Sequence, residues 1–243
     1  MDFENCGQAM HERMAALFPI CRSITGNGVR ETLRTIQGNI PLTIFEVPSG
    51  TKVLDWTVPK EWNIRDAYIL DQRGDKIVDF KESNLHVLGY SISVDDTVSL
   101  GELQEHLFSL EDQPDAIPYV TSYYQERWGF CIRHNLRKTL KEGSYRVYID
   151  SELKEGHLTY GELIIPGASD QEIFLSTYVC HPSMANNELS GPVVTTMLAK
   201  WIASEPRHYT YRIIFIPETI GSITYLSRNI DRMKEKMIAG FNV

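Results

Sequence analysis

The chain has 243 residues, enough to bury one large or two modest cores, and its 42% hydrophobic and 23% charged content is that of a soluble globular protein. Lys+Arg 24 against Asp+Glu 32 leaves a net charge of −8, which argues against nucleic acid or an anionic membrane as partner. No stretch approaches the roughly 18–20 apolar residues of a membrane span.

The first residues, Met1 to Asn5, are acidic rather than a basic leader. Cys6, Cys21, Cys131 and Cys180 lie far apart with no Cys-x-x-Cys spacing, so a cytoplasmic location with reduced thiols is expected. Residues 1–20 read as an amphipathic helix, with Met10, Met14, Leu17 and Phe18 on one face and Pro19 near its end. A turn over 23–28 leads to a second helix from Val29 to Ile36, closed by Gly38. The run 42–47 is a strand, broken by Pro48-Ser-Gly50. Two helices and a strand suit the opening of an α/β domain.

From about Thr51 to Asn135 the pattern changes to short alternating segments punctuated by Pro59, Gly74 and Gly89, which predicts a small inserted β-rich domain. Strands of sheet type resume over 144–150 and 158–165. The expected organisation is an α/β domain begun by 1–50, interrupted by 51–135 and continued by 136–243. Trp62, Tyr90, Tyr123, Trp128 and Phe130 make the insertion aromatic, either as a core of large side chains or as a wall beside a ligand. Asp55 and Glu61 read as turn or capping acids, and His86, His106 and His134 lack metal-like spacing.

The most informative stretch is 172–221. Residues 172–179 read as a buried strand, and Ser190 and Pro192 open a helix with apolar residues at 193, 194, 197, 198, 201 and 202. Residues 211–217 read as a second buried strand. Strand, helix, strand predicts a parallel βαβ unit with a right-handed crossover. His181 and Glu218 then both follow the carboxyl ends of parallel strands, the edge where open α/β sheets bind ligands. A histidine and a carboxylate facing one crevice supply a metal site or an acid–base pair.

His181, the loop Ala185-Asn-Asn-Glu-Leu-Ser-Gly191 and the strand end Pro217-Glu-Thr-Ile-Gly-Ser222 resemble the zinc aminopeptidases with co-catalytic metals. The phrases Arg22-Ser-Ile-Thr-Gly26, Asp55-Trp-Thr-Val-Pro-Lys-Glu-Trp62 and Cys180-His-Pro182 resemble, more closely, bacterial proteins of unknown function with an aminopeptidase-like domain. The resemblance implies an α/β, three-layer zinc-aminopeptidase-like (phosphorylase/hydrolase-like) fold, with zinc as cofactor and a small peptide or amide as substrate. Residue by residue, it implies that His181 is a metal ligand and Glu218 the general base. Asn187 falls where those enzymes carry a metal-bridging aspartate, Glu188 takes that place if the register slips by one, and Thr219 stands where a second glutamate ligates zinc. A neutral amide at 187 and a hydroxyl at 219 suit one metal or none rather than two.

The same enzymes take an aspartate and a late histidine from further strands. Here the chain closes on the apolar run 238–243, which reads as the beginning of another strand, so the domain is expected to be truncated at its C-terminus. An unfinished sheet edge also makes a homo-oligomer an expectation. Two functions follow: a metal-dependent hydrolase of amide or peptide bonds, incomplete in this fragment, or a binding protein that keeps the hydrolase fold without its chemistry.

Overall fold

A computed structural model describes residues 5–243, so the first residues of the helix expected over 1–20 lie outside the described residues. The chain divides into two compact units, one built from the residues up to Glu61 together with Glu155–Val243, the other from Trp62–Lys154. In the first unit, α1 (Cys6–Leu17) and α2 (Asn27–Gln37) lead to β1 (Thr43–Pro48) and a hairpin of β2 (Lys52–Val53) and β3 (Trp56–Thr57). The long strand β4 (Glu61–Leu70) enters the second unit, which continues with β5 (Lys76–Asp79), β6 (Val94–Ser99), α3 (Leu100–Glu105), β7 (Leu107–Phe108), β8 (Phe130–Cys131), α4 (His134–Thr139) and β9 (Ser144–Lys154). The first unit resumes with β10 (His157–Ile165), β11 (Glu172–Tyr178), α5 (Ser190–Ser204), β12 (Thr210–Ile216), α6 (Ile220–Lys236) and β13 (Met237–Asn242).

The main sheet runs β1-β10-β12-β11-β13. The first two strands are antiparallel, while β12, β11 and β13 are parallel, so β11-α5-β12 is the expected βαβ unit. Side chains alternate between the two faces. Leu163, Ile165, Leu175, Ile213 and Phe215 join Val29, Leu33 and Ile36 of α2 and Ala199 of α5 in one buried cluster. Val29, Leu33 and Ile36 lie at i, i+4 and i+7, which explains why an otherwise polar helix docks here. Its first turn comes so close to the preceding segment that a Cβ on Gly28 would fall 2.0 Å from the Cys21 carbonyl oxygen. Only glycine fits there.

The alternate residues face α6, which makes the domain three-layered. On that side the Arg212 guanidinium, 2% exposed, donates to Glu172 at 2.7 and 2.9 Å and to Glu162 at 2.5 Å. Tyr225 of α6 also donates to Glu162, and Arg232 reaches Glu172 at 3.0 Å. Burial would push the Glu172 carboxyl up, but the hydrogen bonds of Arg212 outweigh it and hold the group below the usual range. At the far edge, β13 pairs with β11 alone among the described residues and exposes Ile238 and Phe241. No helix of the described residues is long and apolar enough to cross a membrane, and all four cysteines are free.

The second unit carries the sheet β5-β4-β9-β6. Its bounds, 62–154, differ from the 51–135 expected for the insertion. Residues 144–150 do not resume the main sheet. They belong to β9, which pairs antiparallel with β6 and buries Tyr145, Val147 and Ile149 on one face. Alternation marks a strand but not its partner. At the other end, Val53 and Val58 are buried within the first unit, where Glu61 is paired with Arg30 and accepts the His157 N–H at 3.1 Å. Trp62, Tyr90 and Phe130 are buried and form a core: Trp62 stacks on Tyr90 at 5.7 Å, and Tyr123 meets Tyr90 edge-on. His86 is buried against the Cys131 carbonyl.

Glu172→Gln removes half the charge that balances Arg212 in a closed environment and is expected to cost about 3–5 kcal/mol in urea unfolding at neutral pH. Because the folded-state value of Glu172 lies below its ordinary 4.5, its contribution is full above that value and disappears as pH falls through the depressed one. The variant is therefore expected to lose stability less steeply than the parent below about pH 4.5.

Candidate functional site

β11 and β12 are in register from Glu172↔Thr210 to Tyr178↔Ile216, so the residues beyond both strands emerge side by side. Val179 N–H still donates to the Ile216 carbonyl at 3.0 Å, which keeps the two exits together. His181 follows one strand and Glu218 the other. The His181 Nε2 lies 3.3 Å from Glu218 Oε2, and the structure brings the two predicted residues to one crevice.

The other ring nitrogen is buried. His181 Nδ1 lies 2.8 Å from Glu188 Oε2, and the Glu188 side chain has no solvent exposure. Glu188 owes this position to the backbone before α5. Residues Ala185–Leu189 form one π-helical turn, closed by the Ser190 N–H on the Ala185 carbonyl, and this wide turn buries Glu188 and Leu189 while leaving Asn187 exposed. Ser190 is consequently not the helix cap its type suggests; its hydroxyl donates to the Asn186 carbonyl at 2.6 Å.

Behind Glu188 stands Arg22, 1% exposed, which no charge or spacing pattern in the sequence marks as part of a site. Its Nε donates to the His181 carbonyl at 2.9 Å and its Nη1 to the Leu17 carbonyl at 2.8 Å, while Nε lies 3.6 Å from Glu188 Oε1. Burial pulls the guanidinium below its ordinary value, and the Glu188 charge acts against that pull. The adjacent thiol of Cys21 is pushed up to about 12 by burial.

Three more side chains complete the crevice. Cys180 is buried, and its Sγ accepts the Glu218 backbone N–H at 3.2 Å, which fixes the turn that carries the carboxylate. Burial pushes that thiol well above its ordinary value, so it meets the Glu218 N–H as a neutral group. Tyr178 meets the His181 ring edge-on at 5.7 Å and hydrogen-bonds the Asn187 side chain. Burial, then the charges of Glu218 and Glu188, raise its phenol, which therefore keeps its proton. Thr219 holds φ 54°, ψ −82°, a left-handed conformation that a β-branched residue adopts only under constraint, at the bend between β12 and α6.

The donor set decides what the crevice can hold. With the proton on Nδ1, donated to Glu188, the lone pair of His181 Nε2 faces the crevice, the arrangement of carboxylate–histidine–metal triads. At 3.3 Å from Nε2, the Glu218 carboxylate stands beside whatever Nε2 would bind, within reach for an acid–base group. Glu188 is not on that side. It faces Nδ1, where Cys180, His181 and Glu188 lie close enough together to hold an ion, beside the positive charge of Arg22. Asn187 is an exposed amide engaged by Tyr178, and Thr219 offers no carboxylate. Asn187 and Thr219 therefore leave the described residues of the crevice without the carboxylates that a second ion would take.

Comparison with known proteins bears on the family and the fold. A family model described as a domain of unknown function (DUF4910) matches residues 11–243. A Clostridium acetobutylicum protein, provisionally described as a polysaccharide biosynthesis protein with aminopeptidase-like domain, is 54% identical over 228 residues, covering 94% of this chain and 52% of its own length. The crystal structure of a provisionally assigned peptidase from the same organism superposes with a TM-score of 0.95 at 51% identity, over 98% of this chain and 57% of that one. A zinc aminopeptidase from Bacillus subtilis gives 0.64 at 9% identity, over 98% of this chain and 68% of that one. An aminopeptidase from Aneurinibacillus sp. strain AM-1 gives 0.52 at 13%, over 97% and 69%. At such identity the last two likenesses show the fold alone, which is zinc-aminopeptidase-like. The chain spans about half the length of the curated relative it matches.

Glu188→Gln keeps the shape of the side chain but removes the charge that faces both His181 and Arg22. It is expected to lower stability by about 1.5–3 kcal/mol in chemical denaturation at pH 7, the scale of a buried hydrogen bond to a charged group. A neutral result would mean that Arg22 and His181 are balanced by other groups.

Proposed function

Because the chain belongs to the family described as a domain of unknown function (DUF4910) and has a zinc-aminopeptidase-like fold, we propose that it serves metal-dependent hydrolysis of peptide or other amide bonds in the His181–Glu218 crevice. One observation carries this reading. A histidine oriented from behind by a buried carboxylate presents its Nε2 3.3 Å from an accessible glutamate, at the carboxyl edge of two parallel strands.

In this reading His181 Nε2 would hold zinc, and Glu218 the water beside it. When bound, zinc supplies positive charge that acidifies water and polarises a carbonyl. Glu218 is half exposed, so a substrate reaches it; it accepts the proton of the attacking water and returns it to the departing amine. The Cys180 thiol holds the Glu218 backbone during both transfers. Glu188 keeps the His181 ring in one tautomer and one orientation. Tyr178, neutral and hydrogen-bonded through Asn187, is left with an O–H to donate toward a substrate carbonyl. A small peptide or amide is the substrate class that this set of groups suits.

Asn187 and Thr219 support a second reading, a binding protein that retains the fold without turnover. Metal analysis and hydrolysis of an aminoacyl amide separate the two. The chain is expected to take up no more than about one zinc equivalent, and His181→Ala to lose it. Glu218→Gln is expected to lower hydrolysis by roughly 10²–10⁴-fold, the contribution of a positioned base. Turnover untouched by Glu218→Gln would remove the assigned base, and zinc retained by His181→Ala would remove the crevice. Zinc bound without hydrolysis in the parent chain would favour the binding reading.

A further inference from the structure

At the opposite end of the main sheet lies a second concave site. β10 runs antiparallel to β12, so its carboxyl end at Ile165 sits beside Tyr211, at the start of β12 and away from Glu218. There the turn after α2, the end of β10 and the last turns of α5 enclose a groove of about 530 Å³, within the range of small-molecule sites. Its lining is mostly apolar, with Ile40, Pro41, Leu163, Pro166, Ala199 and Ala203 among its walls.

The polar end of the groove is cationic. Lys200 lines it, and its ammonium donates to Asn39 Oδ1 at 3.3 Å. Asn39 also borders an adjoining notch of about 20 Å³ that Arg13 lines from α1. Neither lining contains an aspartate or glutamate, although the chain carries Asp+Glu 32 against Lys+Arg 24. Among the described residues no carboxylate pairs with Arg13 or Lys200. Burial, then the charge of Arg13, pulls the Lys200 ammonium below its ordinary value, as two cations held together without a counter-ion require.

An apolar trough that ends in two unbalanced cations matches a ligand with an alkyl chain and an anionic head. We propose that this groove binds a free single-chain amphiphile bearing a carboxylate, with its head at Lys200 and Arg13 and its tail along Ile40, Pro41 and Ala203. The site is separate from the His181 crevice and does not depend on it.

Calorimetric titration of the 243-residue chain with decanoate, below its micellar concentration, tests the assignment. Saturable one-to-one binding is expected, weakened by added salt. Octanoate should bind at least about fourfold more weakly, since each buried methylene counts. Decanol, of equal chain length but uncharged, should bind at least tenfold more weakly than the acid. Lys200→Gln and Arg13→Gln should each weaken decanoate several-fold with no change for decanol. Ala203→Trp, at an exposed position, should block both ligands while circular dichroism stays unchanged. Absence of saturable heat, equal affinity for acid and alcohol, or indifference to Ala203→Trp would overturn the proposal. So would a concentration-dependent dimer that Ala203→Trp dissolves in the absence of ligand, because the groove would then belong to a second copy.

Discussion

A single guanidinium with almost no access to water holds the crevice in place. Arg22 is costly to bury, and the cost is offset only because three separate segments meet it: the end of α1 through the Leu17 carbonyl, the exit of β11 through the His181 carbonyl, and the π-turn through Glu188. Each of these groups would be a buried acceptor or anion without Arg22. The same contacts determine where the imidazole can point, because its peptide carbonyl is tied to the guanidinium and its Nδ1 to the carboxylate that the guanidinium faces. Stability and site geometry are therefore one interaction on this side of the molecule.

The two ends of the main sheet are electrically unlike. At the carboxyl end of the parallel strands, Glu188 and Glu218 flank one imidazole, and the crevice suits a cation. Along the α6 face, Arg212 and Arg232 are matched by Glu162 and Glu172, so charge is neutralised inside the layer. At the amino end, Lys200 and Arg13 have no such match.

Periodicity made much of the fold legible. The apolar runs at 172–179 and 211–217 and the helical spacing between them placed His181 and Glu218 on one edge before any coordinates, because a parallel βαβ unit leaves few alternatives. Three things were out of reach. The partner of β9 depends on pairing between distant segments, which alternation alone does not encode. The inward turn of Glu188 depends on one extra residue in a helical turn, a departure with no signature in residue type. Arg22 reads as an ordinary surface cation until the fold encloses it; the one hint was its place in the phrase Arg22-Ser-Ile-Thr-Gly26. The absence of carboxylates at Asn187 and Thr219 was legible, and with it the expectation of one metal or none.

The π-turn at 185–189 also separates two neighbouring positions by duty. Position 188 looks inward and cannot change without stranding Arg22, whereas position 187 looks outward and touches little besides Tyr178. Evolution is thereby free to alter the charge at the rim of the crevice, amide to acid or back, while the interior that supports the imidazole stays constant. Diversification of chemistry on this scaffold would start at the outward-facing neighbour.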